Sequence, residues 1–183
     1  MIINREWAMP NRYTFKVKPI MELLKRHVGN GNGWIDPFAG KTSPAEITND
    51  IDETMPTQFH QDALTFLKSL DTEKYNGAIY DPPFNPVQAR WCYEGGSIYK
   101  RNYEFHRYMT KCRKEVSRVV RPGGMVISCG FNSGGIGKRW GFKIMEILLI
   151  AHGGTRNDTI VTVERKVQSR IDVRFFGEKA MEG

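Results

Sequence analysis

Cysteine is scarce: Cys92, Cys112 and Cys129 are the only three in 183 residues. They are odd in number, widely spaced and not interleaved with histidine at ligand spacing. A disulfide framework and a zinc site are both excluded as organising devices, and a reducing compartment fits. No apolar run approaches the length of a membrane span. Met1 to Glu6 has no basic segment leading into an apolar core, so a cytoplasmic location is expected. Internal repeats, low-complexity tracts and interdomain linkers are missing as well. A chain of 183 residues fits one domain, 1–183, and leaves no room for a large second one. Acids are the minority charge, 20 against 27 Lys and Arg, and the resulting +7 favours a polyanionic partner or substrate.

What the sequence does have is a series of short apolar runs that end in an acid. Asn76-Gly77-Ala78-Ile79-Tyr80 is apolar at its centre and closes on Asp81, as a buried parallel strand does where it delivers a polar group to the rim of a sheet. Gly33-Trp34-Ile35 closes on Asp36, and Ala45-Glu46-Ile47-Thr48-Asn49 closes on Asp50. The carboxyl ends of parallel strands are where ligands bind in open α/β sheets. After Asp81, Pro82 and Pro83 forbid helix, remove two backbone donors and leave carbonyl acceptors, with the aromatic face of Phe84 behind them. Oxygens that accept the two hydrogens of an exocyclic amine, followed by a ring that stacks on its base, are what an amine site needs. After Asp36, the chain bends through Pro37-Phe38-Ala39 to Gly40, which can adopt a backbone conformation closed to other residues.

The string Asp81-Pro82-Pro83-Phe84 resembles the D-P-P-[YF] motif of amino-methylating nucleic-acid methyltransferases. Asp36-Pro37-Phe38-Ala39-Gly40 is similar to the cofactor turn of the same class. Either motif alone is weak; both, in this order and each after a strand, carry the resemblance over Phe15 to about Glu164. Phe15 to Pro19 resembles the cofactor-side segment that precedes the first strand in some of these enzymes. The resemblance implies an α/β, Rossmann-like class I methyltransferase fold, mostly parallel, with an antiparallel hairpin ending the sheet. It implies S-adenosylmethionine as cofactor: Asp36, Phe38 and Gly40 near its methionine part, Asp50 at the ribose with Asp52 as rival, and Asp62 at the adenine. It implies that Asp81 orients the target amine within a rigid Pro82-Pro83 frame while Phe84 stacks on the extruded base. The expected activity is methylation of a DNA base, adenine N6 favoured over cytosine N4. RNA is the alternative substrate, and a non-catalytic nucleic-acid-binding module is the rival from another class. Transfer from a sulfonium needs neither a metal nor a covalent enzyme intermediate. The motif order excludes the circularly arranged subgroup.

One departure from the family stands out. Pro37 to Ala45 is too short for the usual crossover helix, since a parallel crossover ordinarily takes a dozen or more residues. Either the helix is a single turn or the 45–50 stretch is not the neighbouring strand.

Elsewhere, residues 1–13 read as an ordered arm or a flexible leader. The apolar spacing predicts helices over Ile20–Val28, Ala63–Leu70 and Tyr103–Val120, the last with a basic outer face. Asp62 reads equally as a plain helix cap. Thr57 to Gln61 is a possible short strand, and Asn85 to Glu94 opens as a helix would. Ser97 to Tyr103 mixes aromatics with cations, which suits bases and phosphates. Arg121-Pro122-Gly123-Gly124 turns the chain into a buried strand at Met125–Cys129. The glycine-rich Phe131–Lys138 is a candidate lid, and its Gly-Lys lacks the following Ser or Thr of a nucleotide-phosphate loop. Lys143–His152 and Asp158–Lys166 form a hairpin. The tail from Val167 is disordered or adds an edge strand at Ile171–Phe176.

Overall fold

The computed structural model describes residues 1–83, 102–154 and 157–167. Along them run β1 (Ile2–Trp7), α1 (Lys18–Val28), β2 (Trp34–Asp36), β3 (Ile47–Thr48), α2 (Ala63–Ser69) and β4 (Tyr75–Tyr80). Then come α3 (Asn102–Val119), β5 (Val120–Gly130), β6 (Phe142–Ala151) and β7 (Thr159–Lys166). The strands form one sheet in the order β1-β6-β7-β5-β4-β2-β3. All pairings are parallel except the two that β7 makes, with β5 and with β6.

The period-two alternation of buried strands sorts the core into two layers. Ile79, Ile127, Cys129, Leu148 and Val161 face α1, which contributes Ile20, Leu23, Leu24 and Val28. Ala78, Tyr80 and Val126 face the other way, onto Phe66 and Leu67 of α2 and Cys112 and Val116 of α3. Helix α1 starts where Pro19 fixes the first turn and stops at Gly29, whose φ of 63° is open to glycine. Its last turn carries Lys25, Arg26 and His27 at the negative end of the helix dipole. Arg26 and His27 reach across to Glu146 of β6 at 2.7 and 2.9 Å.

Several expectations need correcting. The antiparallel hairpin does not end the sheet: residues 2–7, read as an arm or leader, form β1, which pairs in parallel with β6 beyond it. An exposed edge strand carries no hydrophobic face, so alternation gives no signal, and Arg5 and Glu6 blunt its free edge. The 45–50 stretch is the neighbour of β2, with Ile35 opposite Ile47 and Asp36 opposite Thr48, and the link between them contains no helix. Neither alternative held, because two parallel pairs need only a loop that doubles back. The possible strand at Thr57–Gln61 is a single bridge, Asn49 to Phe59. Residues 121–124 lie within β5 as a bulge: Tyr75 pairs with Val120 and Gly77 with Met125, leaving the Arg-Pro-Gly-Gly segment opposite Asn76. The helix expected at Asn85–Glu94, Phe84, most of the aromatic-basic stretch Ser97–Tyr103, and the strand expected at Ile171–Phe176 lie outside the described residues.

Gly77 sits where β4 presses hardest on its neighbours. A Cβ there would meet the Met125 carbonyl and the Trp34 ring, each at 2.7 Å. Gly77→Ala should therefore cost about 1–3 kcal/mol through overpacking. Urea unfolding would show it as a lower midpoint at unchanged slope, and an unchanged midpoint would mean that the strands separate freely here.

Candidate active site

Alternation continues past the end of β4 and sends consecutive residues to opposite sides. Tyr80 points toward α3, where its hydroxyl approaches the Met109 carbonyl at 3.4 Å. Asp81 lies on the α1 side, where the Thr14 hydroxyl donates to it. Two cavities flank this point. The α1-side cavity, about 890 Å³, is lined by residues 9–15 and 38–42 together with Asp50, Asp52, Met55 and Asp81. The α3-side cavity, about 630 Å³, lies between Tyr80, the helix face carrying Phe105, Met109 and Arg113, and the loop after β5. Pro82 and Pro83 line both, so the rigid dipeptide is the shared wall.

Strands β3, β2 and β4 are neighbours, so Asp50, Asp36 and Asp81 come together at one end of the sheet. Asp36 is fully buried and accepts from the Phe38 N–H at 2.9 Å and the Ser43 hydroxyl at 2.6 Å. Burial pushes its carboxyl up to about 8, against those two hydrogen bonds. Asp50 accepts from the N–H groups of Gly40 and Asp52, both at 3.0 Å, and burial raises it as well. Asp81 is half-buried at the cavity wall, and burial lifts it to about 6 while Thr14 pulls it down. Asp52 behaves in the opposite way: the hydroxyl and N–H of Thr54 hold it below the usual carboxylate range.

Of the residues expected at a cofactor site, Phe38, Gly40, Asp50 and Asp81 line the α1-side cavity. Asp36 sits behind that wall and shapes it by holding the turn at Phe38 and Ser43. Gly40 has φ of 53°, and a Cβ there would meet no atom within 4 Å, so backbone conformation alone demands glycine. Asp62 lies outside the described lining of both cavities. One of its oxygens caps α2 through Thr65 N–H at 3.0 Å, and the other takes the Tyr108 hydroxyl. It caps α2, which is one of the two roles the sequence left open. His27 and His60 are likewise away from both cavities.

Four residues with no assigned role in the sequence stand in or around the site. Asn49 is fully buried; its amide donates to the carbonyls of Pro37 and Gln61 at 3.2 and 2.9 Å and accepts from Gln61 N–H. It clamps the turn after β2 to the loop before α2, and nothing in its local sequence marks it. Thr14 reaches Asp81 from a 3-10 turn before α1. Glu164, in the middle of β7, accepts from Ile136 and Gly137 N–H at 2.6 and 3.0 Å. The expected lid is thus pinned near its C-terminal end. Arg113 lies one helical turn after Met109 and so on the inward face of α3, a position that helical spacing alone could have picked out.

The raised carboxyls set a pH dependence. Between about pH 4, where unfolded aspartate releases its proton, and about 8, where folded Asp36 does, the folded chain holds an extra proton. Stability therefore falls as pH rises through that window. The melting temperature should be higher at pH 5.5 than at pH 8. Asp36→Asn keeps an acceptor for Phe38 N–H and should flatten the trend; an equally steep trend in the variant would assign it to other groups.

No protein-family model and no curated protein matches the chain. Solved structures do. TrmN from Thermus thermophilus matches with a TM-score of 0.53 at 15% identity, over 82% of this chain and 49% of that one. The chain thus spans about half the length of TrmN. The 1,6-didemethyltoxoflavin-N1-methyltransferase of Burkholderia thailandensis, solved with 1,6-didemethyltoxoflavin and S-adenosylhomocysteine bound, matches with a TM-score of 0.54 at 13% identity, over 82% of this chain and 78% of that one. The sheet with its single antiparallel strand is the Rossmann-like fold of S-adenosylmethionine-dependent methyltransferases.

Proposed function

We propose that the chain is an S-adenosylmethionine-dependent methyltransferase acting on an exocyclic amino group of a DNA base, adenine N6 in the first instance. The observation that carries this reading is the place of Asp81-Pro82-Pro83 at the carboxyl end of a central strand: an acid lining the α1-side cavity, followed by a rigid proline pair that lines both cavities.

The α1-side cavity fits the cofactor. Its volume is in the range of small-molecule sites. Asp50 and Asp52 supply the main acceptors, and Asp81 a lesser one, for ribose hydroxyls and for a molecule that carries an ammonium and a sulfonium, and the turn at Gly40 brings main chain to its wall. The solved Burkholderia thailandensis enzyme with S-adenosylhomocysteine supports the same choice. When bound, S-adenosylmethionine supplies an activated methyl group on a sulfonium.

The chain's own residues do the rest. An exocyclic amine is a poor nucleophile because its lone pair is delocalised into the ring. Asp81, as acceptor of an amine hydrogen, favours a pyramidal nitrogen and holds it in one orientation. Thr14 fixes that carboxyl from the α1 side. Pro82 offers a carbonyl with no competing N–H on its own residue. Phe84 is assigned to stacking on the base by its place in the motif. The net charge of +7 suits a polyanion.

The deciding experiment incubates the protein with labelled cofactor and unmodified DNA or RNA, then identifies methylated nucleosides by mass spectrometry. N6-methylated deoxyadenosine is expected; label only in RNA would move the substrate, and none in either would remove the reading. Asp81→Ala should leave cofactor affinity within a few-fold and lower turnover by about a hundredfold or more, the scale of losing one preorganised polar contact to a reacting group. Near-normal turnover in that variant would reduce the segment to a proline turn after a strand.

A further inference from the structure

The two cavities differ in charge. Asp50, Asp52 and Asp81 line the α1 side, with Arg12 and Lys41. The described lining of the α3 side has no carboxylate, and it carries Arg113, Lys138 and Arg139, with His106 beside them. Lys138, Arg139 and His106 are exposed at the cavity's rim, whereas Arg113 stands deeper on the inward face of α3.

Two polar atoms here are buried without a partner. Arg113 Nε makes no hydrogen bond, and neither does the hydroxyl of Ser128 on β5, a residue only 6% exposed. Ser128 lies opposite Tyr80 in the β4–β5 register, so it enters the cavity beside the start of the proline wall. Leaving such donors unsatisfied is costly, and native sites do so where a ligand completes them. Glu164 is the carboxylate that feels Arg113, but its oxygens are engaged by Ile136 and Gly137 N–H, and the two side chains form no ion pair. Arg113 is therefore a planar donor group in a cavity whose described lining carries its own sign.

We infer that the α3-side cavity binds a phosphate of the substrate nucleotide, with the Arg113 fork and the Ser128 hydroxyl as its donors and Lys138 and Arg139 at the mouth. The guanidinium fork matches two phosphate oxygens at once, which a lysine cannot do. This rests on the base-amine reading and narrows it: the accepted substrate is a nucleotide, free or within a strand, and a bare nucleoside is a poor one. Asp50 and Asp52 thus face the cationic cofactor while the cations face the substrate's phosphate, with Pro82 and Pro83 between them and Asp81 at the boundary.

The test uses the full chain saturated with S-adenosylhomocysteine, titrated with deoxyadenosine, deoxyadenosine 5′-monophosphate and a short single-stranded oligodeoxynucleotide. The monophosphate should bind the wild type at least tenfold more tightly than the nucleoside. Arg113→Met should erase that advantage without changing nucleoside affinity, and Ser128→Ala should shrink it a few-fold. Arg113→Lys keeps the charge and serves as second variant should Arg113→Met not fold; it should retain only part of the advantage. An Arg113 effect confined to the oligonucleotide would assign the phosphate to a strand. Equal binding of all three ligands, or an advantage that survives in Arg113→Met, would overturn the subsite. Failure of the two readings is separable. Phosphate discrimination through Arg113 with no base methylated leaves the subsite and removes the base-amine reading. Methyl transfer indifferent to Arg113 does the reverse.

Discussion

Desolvation of carboxylates at one end of the sheet is the constraint on which the rest of the structure depends. Asp36, Asp50 and Asp81 are brought together by three adjacent parallel strands, and burial disfavours the charged form of each. Placing like charges this close is tolerable only if each oxygen finds donors or a proton. Phe38 and Ser43 serve Asp36, Gly40 and Asp52 serve Asp50, and Thr14 serves Asp81. Those donors in turn dictate the path of the loop after β2. Two of its backbone N–H groups, those of Phe38 and Gly40, are engaged by the acids and so are not available to a helix.

The same logic operates on the opposite side with other partners. Glu164 is buried in β7 and takes two N–H groups from the glycine-rich loop. At Gly135 a Cβ would lie 2.2 Å from its carboxylate, so close approach and a φ of 52° both demand glycine there. Lys166, two residues on and on the same face, is almost wholly buried; it gives its ammonium to Glu73 at 3.0 Å and to the carbonyls of Ser117 and Val120, both at 2.8 Å. A cation on carbonyls at the C-terminal end of α3 suits the helix dipole. Both residues lie on the strand that reverses the sheet's direction, so β7 ties the loop beside the α3-side cavity to the helix that forms its other wall.

Functionally, the proline pair divides one cleft into two chemically unlike halves. The methyl donor and the nucleotide proposed for them would carry opposite charges and so need opposite surroundings. Pro82 and Pro83 can separate them by a thin wall because neither residue has an N–H to satisfy. The alternation of β4 sends Tyr80 to one half and Asp81 to the other, so one strand end serves both.

What the sequence determined by itself was local. Short apolar runs closing on Asp36, Asp50 and Asp81 marked strand ends because period and polarity are written residue by residue, and the helices α1, α2 and α3 followed from spacing in the same way. The proline pair and Gly40 were legible because their backbone restrictions are intrinsic. Pairing was decided by the tertiary structure. The N-terminal strand has both faces exposed and so no pattern to read, and β7 could be placed between β5 and β6 only by the sheet itself. The roles of Asn49 and Glu164, and the meeting of Arg113 and Ser128 in one cavity, depend on residues far away in the chain, and a polar side chain does not reveal its surroundings until the fold has buried it.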